Sequence, residues 1–164
     1  DGGKSRKSST DGSSVSSERS NLARFCRLLM DVGREVMDII FNDNYCKQEK
    51  KEWLQSESCG RAFLDKNFDR VSQTKLGKTM VDKIRGGKCG EWDITLLSAL
   101  LLFTPGYLKE NKAAKNAVEV LRNERNHLAH SHDLLANMSL QDCCLTLGAI
   151  LRCITYFESH VAFV

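Results

Sequence analysis

A chain of 164 residues, 41% hydrophobic and 27% charged, is long enough for one hydrophobic core and too short for two domains of ordinary size. Its net charge of +3 is mildly basic, which permits a polyanionic partner without demanding one. Seven cysteines at irregular spacing cannot all pair within one chain, which disfavours a secreted disulfide scaffold and favours reduced thiols.

No basic-then-apolar leader opens the sequence, and the longest apolar run, Ile94 to Phe103, is too short to span a bilayer. A soluble, cytoplasmic chain without membrane contact is therefore expected. Because it begins at Asp1 rather than methionine, it is expected to be one piece of a larger multidomain polypeptide.

Residues 1–19 are dominated by Ser, Gly and charge, with Val15 as the single apolar residue, and such a segment cannot bury enough surface to fold. It reads as a disordered linker, and residues 20–164 as the helical domain. Ser20 or Asn21 can cap the first helix, in which Leu22, Phe25, Cys26, Leu29, Val32, Val36, Ile39 and Ile40 recur at three and four residues. Asn42-Asp43-Asn44 is expected to end it. Tyr45 to Gln55 then reads as a second, more polar helix showing Lys47, Lys50 and Lys51, broken by Ser56 to Gly60. Residues 61–69 carry Phe63, Leu64 and Phe68 without a clear period and suggest a short helix or turn.

Leu76, Met80, Val81 and Ile84 predict a helix over 73–84, stopped by Gly86-Gly87. Gly86-Gly87-Lys88 is not a phosphate-binding loop, because no strand precedes it and no Gly-Lys-Ser/Thr helix start follows. Asp93 can cap the helix Ile94 to Phe103, whose leucines occur on every side and mark it as the buried centre. Pro105-Gly106 forces a turn, and a helix from Lys109 to about Ala129 follows. Ser139 and Asp142 resemble a capping box opening a last helix with the stripe Leu140, Cys143, Cys144, Leu147, Ile150, Leu151, Ile154 and Phe157. No segment alternates as a strand would. Short connections predict an all-α, antiparallel bundle of four to five helices.

The chemistry gathers in Leu121-Arg122-Asn123-Glu124-Arg125-Asn126-His127-Leu128-Ala129-His130. Arginine offers a planar fork that matches a phosphate, and histidine moves protons near neutral pH. Arg125-Asn126 with His130 spells Arg-Asn-x-x-x-His, and Arg122-Asn123 with His127 spells it again one turn earlier. Helical phase puts Arg122, Asn126 and His130 on one stripe and Asn123 and His127 on a second. Arg125, beside the apolar row Ala114, Ala117, Leu121 and Leu128, should have a half-buried stem. On an ideal helix Arg125 and His130 do not share a face, so they meet only if the helix ends near Ala129 or two copies face each other.

Leu-Arg-x-x-Arg-Asn-x-x-Ala-His at a helix end resembles the signature of HEPN domains, helical bundles whose Arg-x(4 to 6)-His motif marks metal-independent ribonucleases. A second block, Glu91-Trp92-Asp93-Ile94-Thr95-Leu96-Leu97-Ser98-Ala99-Leu100-Leu101, resembles the subgroup typified by the N-terminal region of the DAZ-interacting zinc-finger RNA-binding ubiquitin ligase. The resemblance covers roughly residues 21–157, with the two blocks closer together than in that ligase. It implies a HEPN-type bundle that binds single-stranded RNA or cleaves it without a cofactor or metal. In that reading His130 moves a proton, Arg125 and Arg122 hold phosphate, Asn126 orients histidine or substrate, and His127 is the secondary candidate. The nucleophile is RNA's own 2′-hydroxyl and the product a 2′,3′-cyclic phosphate. The resemblance further implies a homodimer with motif helices facing one another, in a regulatory protein such as a ubiquitin ligase or innate-immune receptor.

Two readings compete. His127, His130, His132 and Asp133 have a spacing compatible with a divalent ion, but no ordered ligand set elsewhere completes the site. A non-catalytic interaction module would instead self-associate through the Ala113, Ala114, Ala117 face or the last helix. Cys143-Cys144 sit on an apolar helix face and read as packing residues, as do Trp53 and Trp92, whereas His160 reads as a surface residue.

Overall fold

The computed structural model describes residues 12–108, 111–130 and 139–161. Among them the secondary structure is helical throughout: α1 (Gly12–Glu49), α2 (Glu57–Gln73), α3 (Lys78–Gly86), a single 3-10 turn (Cys89–Glu91), α4 (Ile94–Phe103), α5 (Lys112–His130) and α6 (Leu140–Val161). The all-α expectation holds.

The first boundaries differ from the sequence expectation. α1 does not start at a Ser20 or Asn21 cap but already at Gly12, and Val15 to Arg19 lie exposed on it. Extending a helix that packing has nucleated costs little per residue, so polar residues continue it into solvent. Nor does Asn42-Asp43-Asn44 end α1. Asn42 and Asn44 turn their amide nitrogens back onto the carbonyl oxygens of Asp38 and Ile40, both at 2.8 Å, and Lys47 pairs with Asp43 one turn on at 2.9 Å. Phe41 and Tyr45, both buried one turn apart, anchor this part of the helix in the core. The chain leaves the helix at Lys50, whose φ is 56°, so Tyr45 to Gln55 is no separate helix.

Ser56, expected in a helix-breaking stretch, instead caps α2 through a hydrogen bond from the Cys59 amide. α2 absorbs residues 61–69 and bends at Asn67, whose φ is −117°. The expected helix over 73–84 is displaced, because Thr74 caps α2, Lys75 takes a φ of 55°, and α3 opens only at Lys78. Gly87, at φ 74°, closes α3 and accepts a 2.7 Å hydrogen bond from the Trp53 indole. The two helices touch backbone to backbone: a Cβ on Gly60 would lie 2.1 Å from the Ile84 carbonyl oxygen.

Later elements follow the sequence more closely. Asp93 caps α4, accepting from the Leu96 amide at 2.9 Å. Asn111, not Lys109, opens α5, accepting from the Ala114 amide at 2.9 Å. Ser139 and Asp142 form the expected capping box of α6. All seven cysteines are free, with Cys46 and Cys144 exposed.

Contacts fix the helix directions. α4 and α5 are antiparallel, since Thr95 meets Asn126 while Phe103 lies by Lys115. α5 and α6 are antiparallel too: Leu128 packs with Cys143, and Leu121 and Ile150 meet over Gly33. α1 runs parallel to α6, pairing Cys26 with Cys143 and Gly33 with Ile150. It also runs parallel to α4, where Arg34 donates to the Trp92 carbonyl and Gln48 to that of Pro105. The α2–α3 excursion is the crossover that allows this. α1, α4, α5 and α6 thus form a four-helix arrangement in which the α4–α5 edge lies opposite the α1–α6 edge.

At one end of α1, Phe41, Tyr45, Trp53, Phe63, Trp92 and Tyr107 pack mostly edge to face, Phe41 and Trp53 at 5.2 Å between centroids. Burial of Trp53 and Trp92 matches expectation. Leu140–Ser159 of α6 is long and apolar enough to cross a membrane by length and composition, although a third of that window, 33%, is buried inside the bundle.

Candidate functional site

Asp93 is the hinge of the site. One carboxylate oxygen caps α4 and the other accepts from the Arg125 guanidinium at 3.0 Å. A single side chain therefore ends one helix and fastens a second to it, and both partners are about one-third exposed, at 35% each. Next to it the Thr95 hydroxyl donates to the Asn126 side-chain oxygen at 3.4 Å, which orients the amide. Arg125 thus has the half-buried stem expected of it, with its head spent on a carboxylate.

Beyond this joint a groove of about 450 Å³ lies between α4 and α5, lined by Leu102, Phe103, Lys115, Glu119, Arg122, Asn123 and Asn126. Two cations face one carboxylate, leaving one net positive charge. Phe103 stands at the edge with nearly half its surface, 46%, exposed. Lys115, Glu119, Arg122 and Asn126 follow one another at four, three and four residues and so form one row on α5.

The two overlapping motif copies separate in space. Arg122, Asn123 and Asn126 line the groove. His127 faces elsewhere, beside Glu124 and Asp142, and its charge draws both carboxyls down. Glu124 nevertheless titrates above its ordinary value, chiefly because it is partly buried and then because Asp142 repels its charge. Asp142 titrates lower than usual because the Ser139 amide and hydroxyl donate to it. α5 continues through His130, so within one chain Arg125 and His130 are about 140° apart around the axis. His130 instead follows Asn126 by four residues, in register with the groove row; its side chain lies outside the described residues. So do His132 and Asp133 of the candidate metal cluster. No group of three or more potential metal ligands occurs among the described residues.

Sequence reasoning missed Lys115, Glu119 and Phe103. The first two were legible as an upstream continuation of the Arg122–Asn126 row. Phe103 carried no such signal, because its exposure depends on where α5 lies across α4. Of the Ala113, Ala114, Ala117 face, Ala114 and Ala117 are buried in the core and only Ala113 is exposed, so the three do not present one surface for self-association. Cys143 is buried against Cys26, as a packing residue should be, whereas Cys144, also expected to pack, is exposed. Burial, a hydrogen bond with Cys143 and nearby carboxylates push the Cys26 thiol up to about 12, far from nucleophilic use.

Fold and groove together define a helical domain with a basic, aromatic-edged cleft between two antiparallel helices. No family model, curated protein or solved structure matches the chain.

Proposed function

We propose that the α4–α5 groove binds single-stranded RNA and that His130 makes it a metal-independent ribonuclease of HEPN type. The observation that carries this reading is the union, in one groove, of two cations, two carboxamides and an exposed aromatic edge. Cations track a phosphodiester backbone, and an exposed ring stacks a base without demanding its identity. A free nucleotide would fill such a groove, but the row from Lys115 to Asn126 spans about 16 Å, enough for more than one nucleotide.

In this reading Arg122 holds the scissile phosphate. Arg125, clamped by Asp93, braces α5 at the groove's end. Asn126, oriented by Thr95, positions the ribose or the histidine. His130 takes the proton of the 2′-hydroxyl as its oxygen bonds to phosphorus. The bond from phosphorus to the 5′-oxygen breaks, that oxygen leaves with a proton from solvent, and a 2′,3′-cyclic phosphate remains. DNA, lacking the 2′-hydroxyl, binds uncut.

Fluorescence anisotropy with a labelled single-stranded RNA tests the groove. Phe103→Ala should weaken binding about fivefold or more, in line with about one to three kcal/mol for a base stack, and Arg122→Ala should weaken it too and flatten its salt dependence. Glu119→Gln should tighten it a few-fold by removing the opposing charge. Unchanged affinity in all three would remove the groove from the account.

A further inference from the structure

A second surface lies on the opposite edge of the bundle. On α1, Phe25, Leu28, Val32 and Ile39 are 36% exposed or more, and on α6 so are Leu140, Leu147 and Leu151, with Cys144 exposed among them. Seen down α1 from its N-terminus, the first set lies counterclockwise of the seam residues Cys26 and Gly33. Seen the same way down α6, the second set lies clockwise of Cys143 and Ile150. In two parallel neighbours, opposite rotations away from a shared seam turn to the same side of the pair. α5 occupies the other side, where Leu121 and Leu128 meet that seam. The two sets therefore make one continuous apolar face on the outside of α1 and α6, with no charged residue in either set.

We propose that this face binds a second copy of the chain, two α1–α6 pairs packing face to face with their helices antiparallel. Two features of the face select that occupant. Its extent, from Phe25 to Ile39 along α1 and across two helices, is about 21 Å by about 20 Å, roughly 400 Å² per partner, the size of a weak, reversible contact between copies. Its rim is self-complementary: Arg24 and Glu35 both stand exposed beside the stripe, on either side of its midpoint near residue 30. A two-fold axis across the helices at that midpoint brings Arg24 of each copy against Glu35 of the other, and opposes the helix dipoles. The surface is independent of the RNA reading. It lies opposite the α4–α5 groove, so the dimer leaves both grooves open on its outer sides, unlike a dimer built motif to motif.

Sedimentation velocity of the full chain over a range of concentrations reads the result. A concentration-dependent dimer is expected, and Leu28→Glu or Leu151→Glu should raise its Kd by roughly 30-fold or more, as a buried central contact does. Circular dichroism should show both variants as helical as the wild type, because neither side chain is in the core. Arg24→Glu and Glu35→Arg should each weaken the dimer several-fold, and the double variant should return to within about twofold of wild type. A wild-type chain that stays monomeric overturns the proposal, including one that instead pellets with phosphatidylcholine vesicles, which would assign the face to lipid. A dimer indifferent to both leucine substitutions, or a double charge reversal that weakens additively, overturns it equally.

Discussion

Asp93 carries two duties that a pair of substitutions can separate. Asparagine caps a helix about as well as aspartate, but it cannot offer Arg125 a charge. Asp93→Ala loses both the bond from the Leu96 amide and the bond from Arg125, and urea denaturation should show a loss of about 1–2 kcal/mol, most of it the cap. Asp93→Asn should cost less than about 0.5 kcal/mol, since a partly solvent-screened ion pair contributes little. If the two variants prove equally destabilising, the ion pair rather than the cap holds α4 to α5. At this scale the sequence was half legible. The Asp93 cap shows in its position before an apolar run, and the stem of Arg125 in its helical phase. Their mutual contact is not visible, because 32 residues separate them and only the antiparallel packing of α4 and α5 brings them together.

Elements whose ends are written locally were read well, and those ended by tertiary contacts were not. The capping box of Ser139 and Asp142 lies within four residues of chain, so α6 announced its own start. α1 outruns its apparent asparagine stop because Phe41 and Tyr45 are fixed in the aromatic cluster, which overrides local propensity. The α2–α3 joint was hidden for a similar reason, since nothing near Gly60 in sequence reveals the backbone of α3 pressed against it. Gly60→Ala should therefore cost about 3 kcal/mol, because the obstructing atoms are carbonyl oxygens that cannot swing aside. Gly86→Ala, with nothing within 4 Å of the added methyl, should be neutral or stabilising by up to about 1 kcal/mol. Thermal or urea unfolding of the two variants reads this directly, and equal effects would contradict the close approach of the helices.

For the whole molecule, the square of α1, α4, α5 and α6 sets a polar groove and an apolar face on opposite edges. The division of labour proposed for them is nucleic acid on one edge and self-association on the other. The helical class was legible from periodicity alone, and so was the placing of Arg122 and Asn126 on one row of α5. The parallel course of α1 was not, since it depends on a crossover whose helices the sequence delimited poorly. The most direct test of the central claim is incubation of the purified chain with single-stranded RNA in excess EDTA, beside Arg122→Ala, Arg125→Ala and His130→Ala, with product ends identified by mass. The account predicts 2′,3′-cyclic phosphate ends, abolished in the Arg122 and His130 variants and reduced in the Arg125 variant, whose guanidinium braces the helix at the groove's end. RNA left intact by the wild-type chain, or cut equally well by the His130 variant, would contradict it.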